Sequence, residues 1–177
     1  MKRLSLFAAA LLATAPGIAS AAETPCLTAG EFSSLAGYSL PSVITGTTQR
    51  CATTLGPKAF LNRGGKSLAA RYAARKGQDW PKAKAAFLKL SSNKGAEDVS
   101  KVFRTMPDPS LQQVLDAMME GMVAQQIPLE RCNTIDDVIR LLSPLPPENT
   151  AELIALAVGL GSKAKTGKVG SISLCPN

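Results

Sequence analysis

The sequence predicts an all-α fold, a single irregular bundle of about seven short helices with two disulfides. Alanine and leucine are abundant, strand-type alternation of apolar and polar residues is missing, and helix-capping signals recur along the chain. The chain has 177 residues, of which 45% are hydrophobic and 5% aromatic. This length suits one domain, and the apolar share is too high for a disordered chain.

Residues 1–21 have the pattern of a secretory signal peptide. Two basic residues precede the apolar stretch 4–15, and Ala19-Ser20-Ala21 is a small-residue cleavage site. The apolar stretch is shorter than the roughly 18 residues that a membrane span needs. We therefore expect a periplasmic or secreted protein whose single helical domain is 22–177, with no transmembrane segment.

The first helix is predicted from a capping box. Thr28 and Glu31 have the T-x-x-E spacing in which side chain and backbone cap each other at a helix start. We expect a break at 38–40 and a second helix from Pro41 to Cys51, because proline suits a first helical turn.

Four cysteines in an exported chain predict two disulfides. Folded back as a hairpin, the first two predicted helices place Cys26 and Cys51 at the same end. We therefore expect the pairs Cys26–Cys51 and Cys132–Cys175. A zinc site is disfavoured, because the cysteines are far apart in sequence and the chain has no histidine.

The middle of the chain is predicted as short helices separated by glycine and proline. We expect a helix at 57–62, a turn at Arg63-Gly64-Gly65, and a helix at 67–76 that Gly77 ends. Asp79 is expected to cap the next helix, whose apolar stripe follows helical spacing. That stripe consists of Trp80, Ala83, Phe87 and Leu90.

A short helix at 96–104 is expected to precede the longest helix, 109–125, which Asp108 is expected to cap. The apolar stripe of the longest helix is predicted to be buried, with its methionines filling gaps in the core. Its members are Leu111, Val114, Leu115, Met118 and Met122.

Two further helices complete the predicted bundle. The first spans 134–142 and carries Ile135, Val138, Ile139 and Leu142. The second spans 148–160, is apolar nearly all round, and is expected to be the central buried helix. The glycine-, serine- and lysine-rich segment 161–170 is expected to be mobile.

Charge is unevenly distributed along the chain. Residues 50–104 carry a net charge of +10, whereas residues 105–160 carry −6. This polarity predicts an anion-facing surface within 58–89. An alternative is that the two halves attract each other. The candidate anion contacts are Arg63, Lys66, Arg71, Arg75, Lys76, Lys82, Lys84 and Lys89.

Motifs for catalysis and metal binding are incomplete. The absence of histidine removes the commonest general base. Serine–lysine pairs occur only as neighbours that point about 100° apart on a helix, for example Lys66 and Ser67. Met118, Met119 and Met122 have spacing compatible with copper, but core packing explains them more simply. We expect neither an enzyme, nor a bound metal, nor a cofactor.

Two carboxylate pairs could in principle serve glycoside hydrolysis. Asp116 and Glu120 are expected to face outward beside an apolar stripe. Asp136 and Asp137 are expected in a first helical turn, where the helix dipole favours negative charge. We interpret both pairs as structural.

Two segments carry a resemblance to known proteins. The stretch from Ser143 to Ile154 with the ending Leu174-Cys175-Pro176, and the segment from Leu40 to Cys51, resemble uncharacterised exported all-helical proteins of alphaproteobacteria. The resemblance covers most of the chain beyond the leader. It implies an exported protein with paired cysteines, and it implies no activity.

These observations favour a non-enzymatic binding or interaction protein of the cell envelope. Its expected partner is an anionic envelope component or an acidic protein, contacted through the basic 58–89 surface. Nucleic acid is not expected, because the chain is exported and its basic stretch has few aromatic residues for stacking. The alternatives are a carrier of a small apolar ligand and a hydrolase with a carboxylate or Ser/Lys site.

Overall fold

The computed structural model describes residues 26–92, 97–165, 168–169 and 172–175. These residues form seven α-helices and one two-residue β-pairing, which confirms the all-α class. The predicted signal peptide lies outside the described residues. The helices are α1 (Ala29–Cys51), α2 (Lys66–Ala73), α3 (Lys76–Ser91), α4 (Glu97–Thr105), α5 (Asp108–Gln126), α6 (Cys132–Leu142) and α7 (Pro147–Lys165).

The helix α1 is continuous, so the predicted break at 38–40 is wrong. Its start is as expected, because Thr28 Oγ1 accepts the backbone N–H of Glu31 at 3.2 Å and Glu31 Oε2 accepts that of Thr28 at 2.8 Å. Pro41 lies inside the helix and costs it one backbone hydrogen bond. Burial of neighbours such as Tyr38 and Ile44 in the core offsets that loss.

The helix α1 is also the central helix of the bundle. It packs against α2, α3, α5 and α7, and about half of its residues are buried. The predicted central helix, α7, instead exposes Leu153 by 44% and Leu156 by 60%. Its buried contacts come from one face, which includes Ala151 and Ile154.

The stripe predicted on α3 is confirmed. Trp80 and Ala83 are buried in the cluster of apolar side chains between α1, α3 and α5, and Phe87 and Leu90 pack against that cluster. The ring centroids of Trp80 and Tyr38 are 5.1 Å apart, which joins α3 to α1. The same core contains Leu111 and Leu115 of α5.

Several predicted helix boundaries in this region are wrong, including the helix predicted at 57–62, where residues 57–59 are not helical, and the end of α2, which is Ala73 and not residue 76. Residues Leu61–Gly65 form a π-helical turn that continues into α2, where a turn was predicted. Gly77 and Asp79 lie inside the first turn of α3 and neither end nor cap a helix. Gly65 at the end of this turn approaches α1 closely, since a Cβ on it would lie 2.6 Å from Thr48 Oγ1.

The predicted end of the last helix is also corrected. The helix α7 continues past Leu160 to Lys165, and the strand pair Lys168–Val169 and Ile172–Ser173 follows it. Residues 166–167 and 170 of the segment expected to be mobile lie outside the described residues. None of the described helices has both the length and the apolar character needed to cross a bilayer.

Two disulfides are present, but the predicted pairing is wrong. Cys26 pairs with Cys175, and Cys51 pairs with Cys132. The predicted hairpin does not exist, and the single 23-residue α1 spans about 35 Å, which separates Cys26 from Cys51. The first bridge instead ties the two ends of the described chain, where Cys175 N donates to Leu27 O at 2.9 Å.

Tryptic mapping of the unreduced protein checks this pairing. Cleavage after Arg50, Lys58, Arg131 and Arg140 releases the peptides 51–58 and 132–140. We expect these two peptides to migrate as one disulfide-linked species in mass spectrometry. Linkage of 51–58 to the peptide that contains Cys26 would contradict the structure.

The crossing of α1 and α5 depends on Gly46. A Cβ at this position would lie 2.7 Å from the backbone oxygen of Glu120, so α5 would have to move. We expect Gly46→Ala to lower the free energy of unfolding by about 1–3 kcal/mol through overpacking. Urea unfolding followed by circular dichroism measures this change.

Gly30→Ala is the matched control, because no atom lies within 4 Å of its added Cβ. Alanine is the better helix former, so we expect this variant to keep or gain stability. Equal unfolding midpoints for the two variants would refute the close contact between α1 and α5.

Candidate functional site

Five of the eight predicted anion contacts already interact with other groups of the chain. Four form ion pairs, and Arg71 donates to the carbonyl oxygen of Ser143 and lies over the ring of Tyr72. Most of the acidic partners belong to the acidic half of the sequence. The ion pairs are Arg75 with Asp79 and Glu148, Lys76 with Asp116, Lys84 with Asp108, and Lys89 with Glu31.

Two of these ion pairs help to lower the pKa of the acidic residue involved. The hydrogen bond from Lys84, followed by that from Trp80 Nε1, holds the pKa of Asp108 below its ordinary value. The pKa of Glu31 is lowered mainly by the backbone N–H of Thr28 and further by Lys89. Asp108 therefore joins α5 to α3, and the predicted capping role is not seen.

The other three predicted contacts are exposed. Within the described part of the chain, Arg63, Lys66 and Lys82 have no hydrogen bond or ion pair through their side chains. Arg63 and Lys66 lie on consecutive turns before and at the start of α2, whereas Lys82 lies on α3. Three of the ion pairs described above join the basic residues 50–104 to the acidic residues 105–160. Much of the uneven charge of the sequence therefore links these two parts of the chain.

The carboxylate pairs also have structural contacts. Asp116 was expected to face outward, but its carboxylate accepts hydrogen bonds from Ser42 Oγ at 3.0 Å and from Lys76 Nζ at 2.5 Å. Asp136 is buried, and Asp137 forms an exposed ion pair with Arg140 at 3.1 Å. The described residues contain no group of three or more His, Cys, Asp or Glu side chains placed to hold a metal ion.

A cavity of about 640 Å³ lies between α1, α2, α5, α6 and α7, and we call it the apolar groove. Several of its residues belong to helix stripes that the sequence predicts, but spacing within one helix does not predict that α6 lies beside α1. Its apolar lining is Leu40, Val43, Ile44, Leu68, Met122, Val123, Ile127, Pro128, Ile135, Ile139, Leu142 and Ile154.

The polar groups deep in the apolar groove are satisfied by the chain itself. Tyr72 Oη is 2.9 Å from Thr150 Oγ1 and donates to Leu145 O at 3.3 Å. Thr47 Oγ1 donates to Val43 O at 2.7 Å. A molecule in this part of the groove would therefore meet a surface with little unused hydrogen-bonding capacity.

The remaining polar lining residues are exposed. They are Gln126, Arg131 and Thr134, and their side chains form no hydrogen bond or ion pair within the described residues. Gln126 is the last residue of α5, Arg131 ends the 3-10 turn Leu129–Arg131 that follows, and Thr134 lies in the first turn of α6. The groove therefore has an apolar interior and a polar edge.

The methionines of α5 were predicted to be buried, and this is wrong for two of them. Met118 is 51% exposed and Met122 is 46% exposed. Only the part of the stripe formed by Leu111 and Leu115 is fully covered by the bundle. Met122 lines the apolar groove and also a second cavity of about 470 Å³, which Met118 and Met119 line as well.

Polar and covalent links fix α6 at the side of the groove. Cys132, its first residue, is bonded to Cys51 at the end of α1, and both cysteines are fully buried. Arg50 Nε donates to Ile127 O at 3.0 Å, which fixes the end of α5 beside them.

Asp136 forms the second link of α6. Its carboxylate accepts the backbone N–H of Leu61 at 2.6 Å and that of Phe60 at 3.1 Å. These donors lie at the start of a helical segment, where backbone N–H groups have no partner within the helix. The side chain of Asp136 thus joins α6 to the π-helical turn before α2.

Comparisons with protein-family models, with curated proteins and with solved structures find no match to this chain.

Replacing Asp136 tests whether it holds α6 in place. Asp136→Ala leaves the buried N–H of Leu61 without an acceptor, so we expect a loss of about 1–3 kcal/mol in unfolding free energy. Urea unfolding gives the value. The control Asp137→Ala removes an exposed ion pair and should change stability by about 0.5 kcal/mol or less. Similar losses in both variants would contradict this role.

Proposed function

We propose that this protein is a non-enzymatic binder of a small apolar ligand, which it holds in the apolar groove. The observation that supports this most is the groove itself, about 640 Å³ in volume with an almost wholly apolar interior. Ligand sites are typically concave, mostly apolar and roughly 300–1,000 Å³ in volume. The groove has these properties, and its wall is formed by helices that disulfide and hydrogen bonds fix.

The proposal includes a location outside the cytoplasm, in the periplasm or the medium. Two disulfides are typical of proteins that fold in an oxidising compartment. An apolar molecule in such a compartment gains from leaving water, since burial contributes about 25 cal/mol per Å² of apolar surface. The groove offers that burial without a covalent step.

Contact with an anionic envelope component or an acidic protein remains a second hypothesis. It rests on Arg63, Lys66 and Lys82, the three predicted contacts that are exposed and form no hydrogen bond or ion pair in the described part of the chain. Geometry favours the groove over this surface, because the other five cations are already engaged by groups of the bundle.

Binding of the neutral probe N-phenyl-1-naphthylamine tests the proposal. We expect the disulfide-bonded protein to bind it saturably with enhanced fluorescence. Ile135→Trp places a larger side chain in the groove and should weaken binding at least tenfold. Val138→Trp lies on the same helix, is 49% exposed and does not line the groove, so binding should stay within twofold of the wild type.

Met122→Trp is a second blocking variant at a half-exposed position, where folding tolerates a larger side chain. Circular dichroism verifies that each variant is folded. Absence of saturable binding by the wild type would overturn the proposal, as would unchanged binding by both blocking variants. Sedimentation analysis measures the oligomeric state. A dimer that buries the groove and excludes the probe would also overturn the proposed ligand binding.

A further inference from the structure

We infer that the ligand of the apolar groove is an elongated amphiphile with a carboxylate head, of the fatty-acid class, and that Arg131 binds the head. This inference rests on the proposed function and specifies its ligand. It comes from the position of one charged side chain in the turn before α6 and from the apolar surface along α6.

Among the described residues that line the groove, Arg131 has the one charged side chain. Its guanidinium forms no hydrogen bond or ion pair within the described residues, in contrast to Arg71, Arg75 and Arg140. An uncompensated guanidinium beside an apolar cavity favours a ligand that brings a negative charge. Its parallel N–H donors match the two oxygens of a carboxylate.

The backbone at Arg131 is fixed in position. The residue precedes Cys132, whose disulfide to Cys51 is fully buried, and its own backbone N–H donates to Pro128 O at 3.0 Å. The backbone of Arg131 is therefore fixed at one end of the groove, and its side chain is exposed to solvent, where a head group can reach it.

The apolar surface extends away from Arg131 along the whole of α6. Ile135, Ile139 and Leu142 line the groove at successive helical turns. Arg131 and Leu142 are eleven residues apart, so the distance along the helix axis is about 16 Å. A slender acyl chain fits this length, with its carboxylate at Arg131 and its methyl end near Leu142.

The head-group assignment is tested by measuring affinity through displacement of the neutral probe. The ligands compared are saturated fatty acids and the alcohols of equal chain length. We expect the wild type to bind acids at least tenfold more tightly than alcohols, as charge-assisted hydrogen bonds imply. Arg131→Gln should reduce acid affinity to that of the alcohol and leave alcohol affinity unchanged. Arg140→Gln is the matched control, since Arg140 lies on α6 but does not line the groove.

The chain-length series tests the direction of the acyl chain. Each added methylene should raise affinity about fourfold until the groove is filled. Leu142→Trp should move the plateau to shorter chains. Gly121→Leu adds a side chain into the neighbouring methionine-lined cavity, where its Cβ has no atom within 4 Å, and should leave the plateau unchanged.

The outcomes separate the two proposals. Equal affinity for acids and alcohols in a wild type that binds the probe would overturn the carboxylate assignment and leave the binding function intact. Retention of the acid preference by Arg131→Gln would do the same. A plateau shortened by Gly121→Leu but not by Leu142→Trp would overturn the placement of the chain along α6. Failure to bind the probe or any amphiphile would overturn the function itself.

Discussion

The attachment of α6 to the end of α1 is the constraint on which the groove depends. Cys132 is covalently bound to Cys51, and Asp136 accepts two backbone N–H groups from the segment before α2. These links hold α6 without requiring its apolar face to be filled by neighbouring side chains. Ile139 packs against two clusters of buried residues, but it and Ile135 also line the groove, so the apolar face of α6 is only partly covered by neighbouring side chains.

The parts of the fold that local sequence determines were predictable. The capping box of Thr28 and Glu31 and the apolar stripe of α3 depend on spacing within one helix, and both are confirmed. Pro41 shows the limit of such reasoning. Its local cost argues for a break, but the tertiary burial around α1 outweighs that cost, and the wrong disulfide pairing followed from the wrong break.

The candidate site was less predictable, because it depends on which helices become neighbours. Ile139 and Leu142 were recognised as an apolar stripe, but sequence spacing cannot say whether a stripe is covered or faces a cavity. Met122 was assigned to the core for the same reason and is half-exposed. The asymmetry of charge is visible in the sequence, but the ion pair of Lys76 with Asp116 depends on the packing of α3 against α5.

The two disulfides differ in their access to solvent. Cys26 and Cys175 are partly accessible, whereas Cys51 and Cys132 are fully buried. A reductant in solution can reach the bridge that joins the chain ends while the bundle remains folded, but attack on the inner bridge requires the bundle to open first. The tether between the chain ends can therefore be reduced as an event separate from disassembly of the α1–α6 junction.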